Sequence, residues 1–236
     1  MKVFITGGSH IGALYRAYKA DEGKSVPPDI QVLIRPLGGG LTVAKRFFDV
    51  KPRRIVITSP KFRKHFTQIP LQNFRCDTIG LCTTLYSRPI WSNGDWAKFG
   101  PLADLAGRQM VSEALIRRLV HDDTRHLIDF LLAARGLGIR PFVIDCPRPF
   151  RHNPEVRIAG EKTIRHLDEN YRRIMAGKLE ALDIPVVANP PDTCDADGFT
   201  LPRFRHTVDG DRTHANVEYG HKMLDRIYAF LASSNG

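Results

Sequence analysis

The chain is poor in the residues that mark several common protein classes. Its four cysteines, Cys76, Cys82, Cys146 and Cys194, include no C-x-x-C pair, so the usual zinc and dithiol motifs are missing and free thiols are expected. No apolar run is long enough to cross a bilayer. The N-terminus shows no signal-peptide pattern, because a short strand-like run follows Lys2 directly. These absences predict a cytoplasmic protein without a membrane span. His206, Asp209, His214 and His221 match no helical H-x-x-x-H pair or zinc spacing, and no metal is expected. Low-complexity tracts, internal repeats and linker-like stretches are also missing, so residues 1–236 are expected to form a single domain.

What is present is ordinary globular material, 42% hydrophobic and 25% charged. The net charge is +10, from 35 Lys and Arg against 25 Asp and Glu. Such a field favours anionic partners, although the basic residues read as scattered short clusters, at 51–54, 61–65 and 148–152, and make up no nucleic-acid module. A solvated basic surface without a specific partner is the competing reading.

Short apolar runs alternate with helical patterns. Residues 2–6, 30–34, 54–58, 78–85, 141–145 and 185–188 read as strands, several of them buried on both faces as in a parallel sheet. Over 161–182, Ile164, Leu167, Tyr171, Ile174, Met175, Leu179 and Leu182 recur at helical spacing, with Asp168 and Arg172 off that stripe. A second helix carries Leu127, Phe130 and Leu131, with Asp122-Asp123-Thr124 as its N-cap and Gly136 and Gly138 as its stop. Val217, Leu224, Ile227 and Leu231 mark the last helix. The alternation predicts a three-layer α/β fold with right-handed crossovers. Residues 86–109 hold both tryptophans, Trp91 and Trp96, and read as either a substrate wall or a packed surface excursion.

Chemistry concentrates at the two ends. Gly7-Gly8-Ser9-His10 follows the first strand, and Asp211-Arg212-Thr213-His214 precedes the last helix. A serine on a strand-to-helix turn projects above the carboxyl edge of a parallel sheet, where the first helical turn offers N–H groups to an oxyanion. An acid three residues before a histidine supplies a base with its orienting partner. Singly, each half has a plain alternative: Ser9 as a helix cap, Asp211 as a cap beside a surface histidine. The N-terminal glycines also invite an NADP reading, with Arg35 for the 2′-phosphate, but Gly7, Gly8 and Gly12 do not have G-x-G-x-x-G spacing.

Taken together, Gly7-Gly8-Ser9 and Asp211-x-x-His214-x-Asn216-x-x-Tyr219-Gly220 resemble the SGNH (GDSL-type) hydrolase superfamily. The resemblance implies a flavodoxin-like, mostly parallel sheet in an α/β/α sandwich, no cofactor, and a triad of nucleophile Ser9, base His214 and orienting Asp211. It implies an oxyanion N–H from the glycine run Gly38-Gly39-Gly40, centred on Gly39 and Gly40. The family's Gly-x-Asn-Asp block is absent, which leaves Thr83, Thr84 or Asn93 as the remaining donor. Its substrate would be a small-molecule or glycan ester, acted on by hydrolysis or acyl transfer. Arg148 and Arg151, in the loop after the strand at 141–145, read either as a basic rim without a ligand or as binding an anionic group on that ester. An NADP-dependent oxidoreductase and a non-catalytic carbohydrate or polyanion binder are the alternatives.

Overall fold

A computed structural model of the chain describes residues 1–38, 43–92, 94–101, 107–208 and 210–233. In chain order the elements are β1 (Lys2–Gly7), α1 (Ile11–Ala20), β2 (Gln31–Ile34), β3 (Phe48–Lys51), β4 (Arg54–Ile57), β5 (Gln68–Ile69) and β6 (Thr78–Cys82). They continue with α2 (Arg88–Trp91), β7 (Phe99–Gly100), β8 (Gln109–Met110), α3 (Glu113–Gly136), β9 (Arg140–Ile144), α4 (Pro154–Ala159), α5 (Glu161–Ala181), β10 (Val186–Val187) and α6 (Val217–Ser233).

Five strands form the central sheet in the order β10-β9-β6-β1-β2, every pair parallel. Renumbered along the chain, this is the flavodoxin-type order, not the order of dinucleotide-binding folds. Because successive strand residues face opposite ways, Val3 and Ile5 enter one core with Leu14 of α1 and Met223 and Ile227 of α6. Phe4 enters the other with Ile79, Leu127 and Leu131 of α3, and Leu167 and Met175 of α5. Each such fully buried side chain contributes about 1.5–3 kcal/mol. The three layers and the parallel sheet are those expected from the run of strands and helices.

Two local expectations fail for identifiable reasons. Helix α3 starts at Glu113, not near Asp122, because Ser112 caps it with its side chain accepting from the Leu115 N–H at 3.2 Å. Ile116, Val120, Thr124, Leu127 and Leu131 then form one buried stripe, and Thr124 satisfies its hydroxyl on the Val120 carbonyl at 2.7 Å. The run 54–58 does hold a strand, but β4 belongs to a separate antiparallel sheet in the order β3-β4-β5. Within 86–109, Trp91 and Trp96 are 2% and 4% exposed, and their ring N–H groups donate to Ser87 Oγ and the Ile90 carbonyl. Both tryptophans are therefore packed inside.

Asp123 of α3 is half-buried and accepts from the Tyr171 hydroxyl at 3.3 Å. Burial pushes its carboxyl up from 3.8 to about 6, only partly offset by Tyr171. The folded pKa lies above the unfolded one, so this group costs stability once pH rises past both values, and costs nothing below about 4. Asp123→Asn should therefore raise Tm by about 2–8 °C at pH 7.5. The gain should disappear in melting curves at pH 4.

Candidate active site

The turn after β1 is pinned from both sides. The Gly8 N–H donates to the Cys82 carbonyl at the end of β6 (3.0 Å), and the Gly7 carbonyl accepts from Leu37 beyond β2 (2.7 Å). A Cβ on Gly7 would lie 2.1 Å from the Cys82 oxygen, so only glycine lets β1 and β6 approach this closely. The turn thus sits at the carboxyl edge between β1 and β6, where the strand order reverses and open α/β sheets bind ligands. Ser9 stands exposed at its crest. Among the described residues nothing accepts from the Ser9 or His10 N–H, whereas the next three N–H groups donate to the carbonyls of Gly8, Ser9 and His10.

The C-terminal segment is held by a different clamp. Asn216 accepts from the Tyr219 N–H at 3.1 Å, capping α6, while its amide donates to the Arg203 carbonyl at 2.7 Å. Arg16 of α1 donates to the Ala215 carbonyl at 2.9 Å. Gly220 lets α6 lie directly on α1, since a Cβ there would be 2.2 Å from the Ala13 oxygen. Asn216 and Gly220 of the Asp-x-x-His-x-Asn-x-x-Tyr-Gly pattern thus have physical tasks apart from chemistry.

Inside this frame Asp211 and His214 meet. Asp211 Oδ1 accepts from the Thr213 and His214 N–H groups, both at 3.1 Å. His214 Nδ1 lies 2.9 and 3.0 Å from the two carboxylate oxygens. Burial works against the Asp211 charge, but the two N–H donors and the imidazole outweigh it and hold the carboxyl below its ordinary value. An ionised carboxylate on Nδ1 fixes the proton there and leaves Nε2 as the basic lone pair. His214 Nε2 is shielded from solvent and has no partner among the described residues. His206 Nδ1 stands 3.5 Å from Asp211 on the far side.

His10 joins the two halves. Its ring packs 5.1 Å from the His214 ring and 4.3 Å from Tyr86, and it is 4% exposed. Burial, then the neighbouring His214, pushes its pKa down to about 3, with Asp211 opposing and Arg88 and Arg172 adding to the shift. His10 is thus neutral, and the residue following Ser9 lies against the base. Spacing alone gave no sign of this, because the contact depends on the turn bending α1 beneath the dyad.

The remaining sequence candidates divide. Arg148 lines a cavity of only about 10 Å³ with His10, Ser87, Trp91, Asn153 and Thr213, and its Nη1 is 3.3 Å from the buried Asp168, so its charge is engaged by the protein. Arg151 is not available there. It pairs with Glu161, Asp195 (3.0 Å) and Asp197, with its guanidinium 4.6 Å over the Phe199 ring. A cation shared by three carboxylates has no charge left for a substrate anion, which corrects the expectation for this residue. Thr83 and Thr84 are 3% and 0% exposed, and the Thr84 carbonyl accepts from the Tyr171 hydroxyl at 3.2 Å. Both point the turn after β6 inward. Gly39, Gly40 and Asn93 lie outside the described residues.

A buried network behind the site went unread in the sequence. Arg172 donates to Asp168 at 3.1 and 3.0 Å, to Asp145, and to the Cys146 carbonyl at 3.2 Å. Ser87 donates to the same Asp168. Asp168 and Arg172, off the apolar stripe of α5, are therefore inside and not on its polar face. Helical periodicity does not distinguish a solvated charge from a paired buried one.

No protein-family model matches the sequence, and a search of curated proteins found no match. Solved structures do match. A GDSL-like lipase from Bacteroides thetaiotaomicron shares 12% identity over 99% of this chain and 86% of its own, with a TM-score of 0.51. A structure described as a putative platelet activating factor from Streptococcus pneumonia shares 10% over 97% and 83%, with a TM-score of 0.52. A putative SGNH hydrolase from Slackia heliotrinireducens shares 13% over 98% of each chain, with a TM-score of 0.50. At this level of identity the likeness concerns architecture, and in architecture the chain has the fold of the SGNH hydrolases.

Proposed function

We propose that the protein is a serine-dependent ester hydrolase that works through an acyl-enzyme on Ser9. The observation that carries this reading is the packing of His10 on His214. It draws the turn bearing Ser9 against a histidine whose Nδ1 is held by Asp211 and whose Nε2 is unpartnered.

In this reading His214 Nε2 takes the Ser9 hydroxyl proton as Oγ bonds to the ester carbonyl carbon. Asp211 holds the imidazole in the required tautomer and stabilises the imidazolium. The oxyanion receives the free N–H groups of Ser9 and His10. One such donor is worth about 3–4 kcal/mol. Collapse breaks the ester C–O bond, and His214 returns the proton to the leaving alcohol. Water activated by the same histidine then releases the acid. An acceptor hydroxyl in place of that water would make the reaction a transfer. Neutral His10 keeps a second positive charge away from the imidazolium.

Pre-steady-state hydrolysis of p-nitrophenyl acetate tests the covalent step. A burst of nitrophenol equal to the enzyme concentration, absent in Ser9→Ala, is expected. A linear trace that Ser9→Ala reproduces would refute the acyl-enzyme. Arg151→Ala should leave KM within about 2-fold and lower Tm instead, because its partners are carboxylates of the protein. A KM increase of tenfold would return Arg151 to the site.

A further inference from the structure

The chain's positive charge is concentrated in one place. Between β2 and β6, residues 43–75 contain nine Lys or Arg and one acidic residue, Asp49, a net +8 of the chain's +10. These residues build the β3-β4-β5 sheet, an appendage to the five-stranded core. Lys51, Arg53 and Arg54 crowd the tip of the β3–β4 hairpin, and Lys61, Arg63 and Lys64 lie in the loop past the other end of β4; all six are exposed. Four strand residues separate the two groups by roughly 13 Å, more than the ~8 Å Debye length at physiological salt. Among the described residues Asp49, on Arg46 at 3.2 Å, is the only carboxylate within ion-pair distance of any cation in 43–75. An uncompensated field of this kind costs self-repulsion and favours an extended anionic partner.

Beside the sheet is an open groove of about 360 Å³, floored by Phe66 and Phe74 and edged by Arg35, Gln68, Gln72 and Asn73. Carboxamides and a guanidinium over an apolar floor match the hydroxyls, acid groups and C–H face of a pyranose. Among its described residues the phenylalanine rings are buried or, at Phe74, half-buried in the groove, and Val50 is its one exposed large hydrophobic. It therefore offers little to insert into a membrane.

We propose that the β3-β4-β5 appendage binds an acidic polysaccharide, with one sugar in the Phe66/Phe74 groove and neighbouring acid groups on the two cationic clusters. This binding does not depend on the Ser9 chemistry. Arg35, on the groove, donates its backbone N–H to the Ile5 carbonyl of β1, two residues before Gly7, so a polymer held here would lie near the edge of the sheet that carries the proposed active site.

Binding of a heparin octasaccharide, an oligogalacturonate, a neutral dextran oligomer and a 16-base-pair DNA duplex would be measured at 0.05–0.3 M NaCl. The full-length parent should bind at least one acidic glycan tenfold or more tightly than dextran and DNA. Preference between the first two separates sulfate from carboxylate recognition. The triple variant Lys51→Glu, Arg53→Glu, Lys64→Glu should weaken binding at least tenfold. The control Arg117→Glu, Arg157→Glu, Arg226→Glu, with the same charge change elsewhere, should weaken it less than threefold. Gln72→Ala with Asn73→Ala should lower glycan affinity severalfold and leave the salt slope unchanged, with Tm confirming folding. Ser9→Ala should bind as the parent does, which keeps this result separate from catalysis. Equal losses in both triple variants, DNA bound as tightly as glycan, or no glycan binding at 0.1 M NaCl would overturn the proposal.

Discussion

Ser9→Ala and His214→Ala should each lower kcat for an activated ester by about 10⁴-fold or more, with far smaller changes in KM. Both substitutions remove a group from the same proton-transfer step, so the double variant should be scarcely worse than either single one. Asp211→Asn tests the arrangement more finely. The Asp211 carboxylate accepts from Nδ1 and from two backbone N–H groups. An amide that turns its NH2 toward Nδ1 stabilises the wrong tautomer and should cost about 10⁴-fold in kcat. Because Asp211 also ties down the turn at Thr213 and His214, Tm should fall as well. Its folded pKa is depressed, so that part of its stabilisation is present above the ordinary carboxyl pKa and is lost as pH falls through the lowered value. Parent and Asp211→Asn should therefore converge in Tm at low pH. Full activity in His214→Ala, measured as kcat on the same ester, would end the triad reading.

The second large effect is structural. Gly220→Ala should destabilise the protein by about 3 kcal/mol, a fall of roughly 6–12 °C in Tm. The added methyl would stand 2.2 Å from the Ala13 oxygen, which is backbone, and 2.9 Å from the Ala17 methyl. Neither neighbour is the flexible end of a side chain, so α6 must move off α1. That shift would carry Asn216 and the segment bearing His214 with it, and kcat should fall together with stability. Gly177→Ala is the matched control: a Cβ there meets nothing within 4 Å, and the change should raise Tm slightly through helix propensity. Differential scanning calorimetry of the two variants distinguishes them, and an unchanged Tm in Gly220→Ala would contradict the close packing of α1 on α6.

The legible parts of this protein were those encoded locally. β1, the turn after it and the Asp-x-x-His segment each lie within a few residues, so strand pattern, glycines and spacing located them without knowledge of partners. The helix stripes of α5 and α6 were legible for the same reason. Other features depend on residues far apart in the chain. Arg151 looks like an anion site until Asp195 and Asp197, more than forty residues later, are seen to hold it. Asp168 and Arg172 look solvated until Asp145 and Ser87 are brought to them. Ser112 is an unremarkable serine unless Ile116 and Val120 are known to be buried. The concentration of charge in 43–75 was countable from the sequence. Its meaning emerged only when β4 proved to lie outside the parallel sheet, with both basic clusters on one exposed appendage.

The central claim is that Ser9 is an activated nucleophile, and intact mass spectrometry after incubation with a fluorophosphonate tests it most directly. A single adduct is expected on the folded parent, mapped to the peptide containing Ser9. It should be absent in Ser9→Ala and formed much more slowly in His214→Ala. No adduct on folded parent protein, or the same adduct on Ser9→Ala, would contradict it.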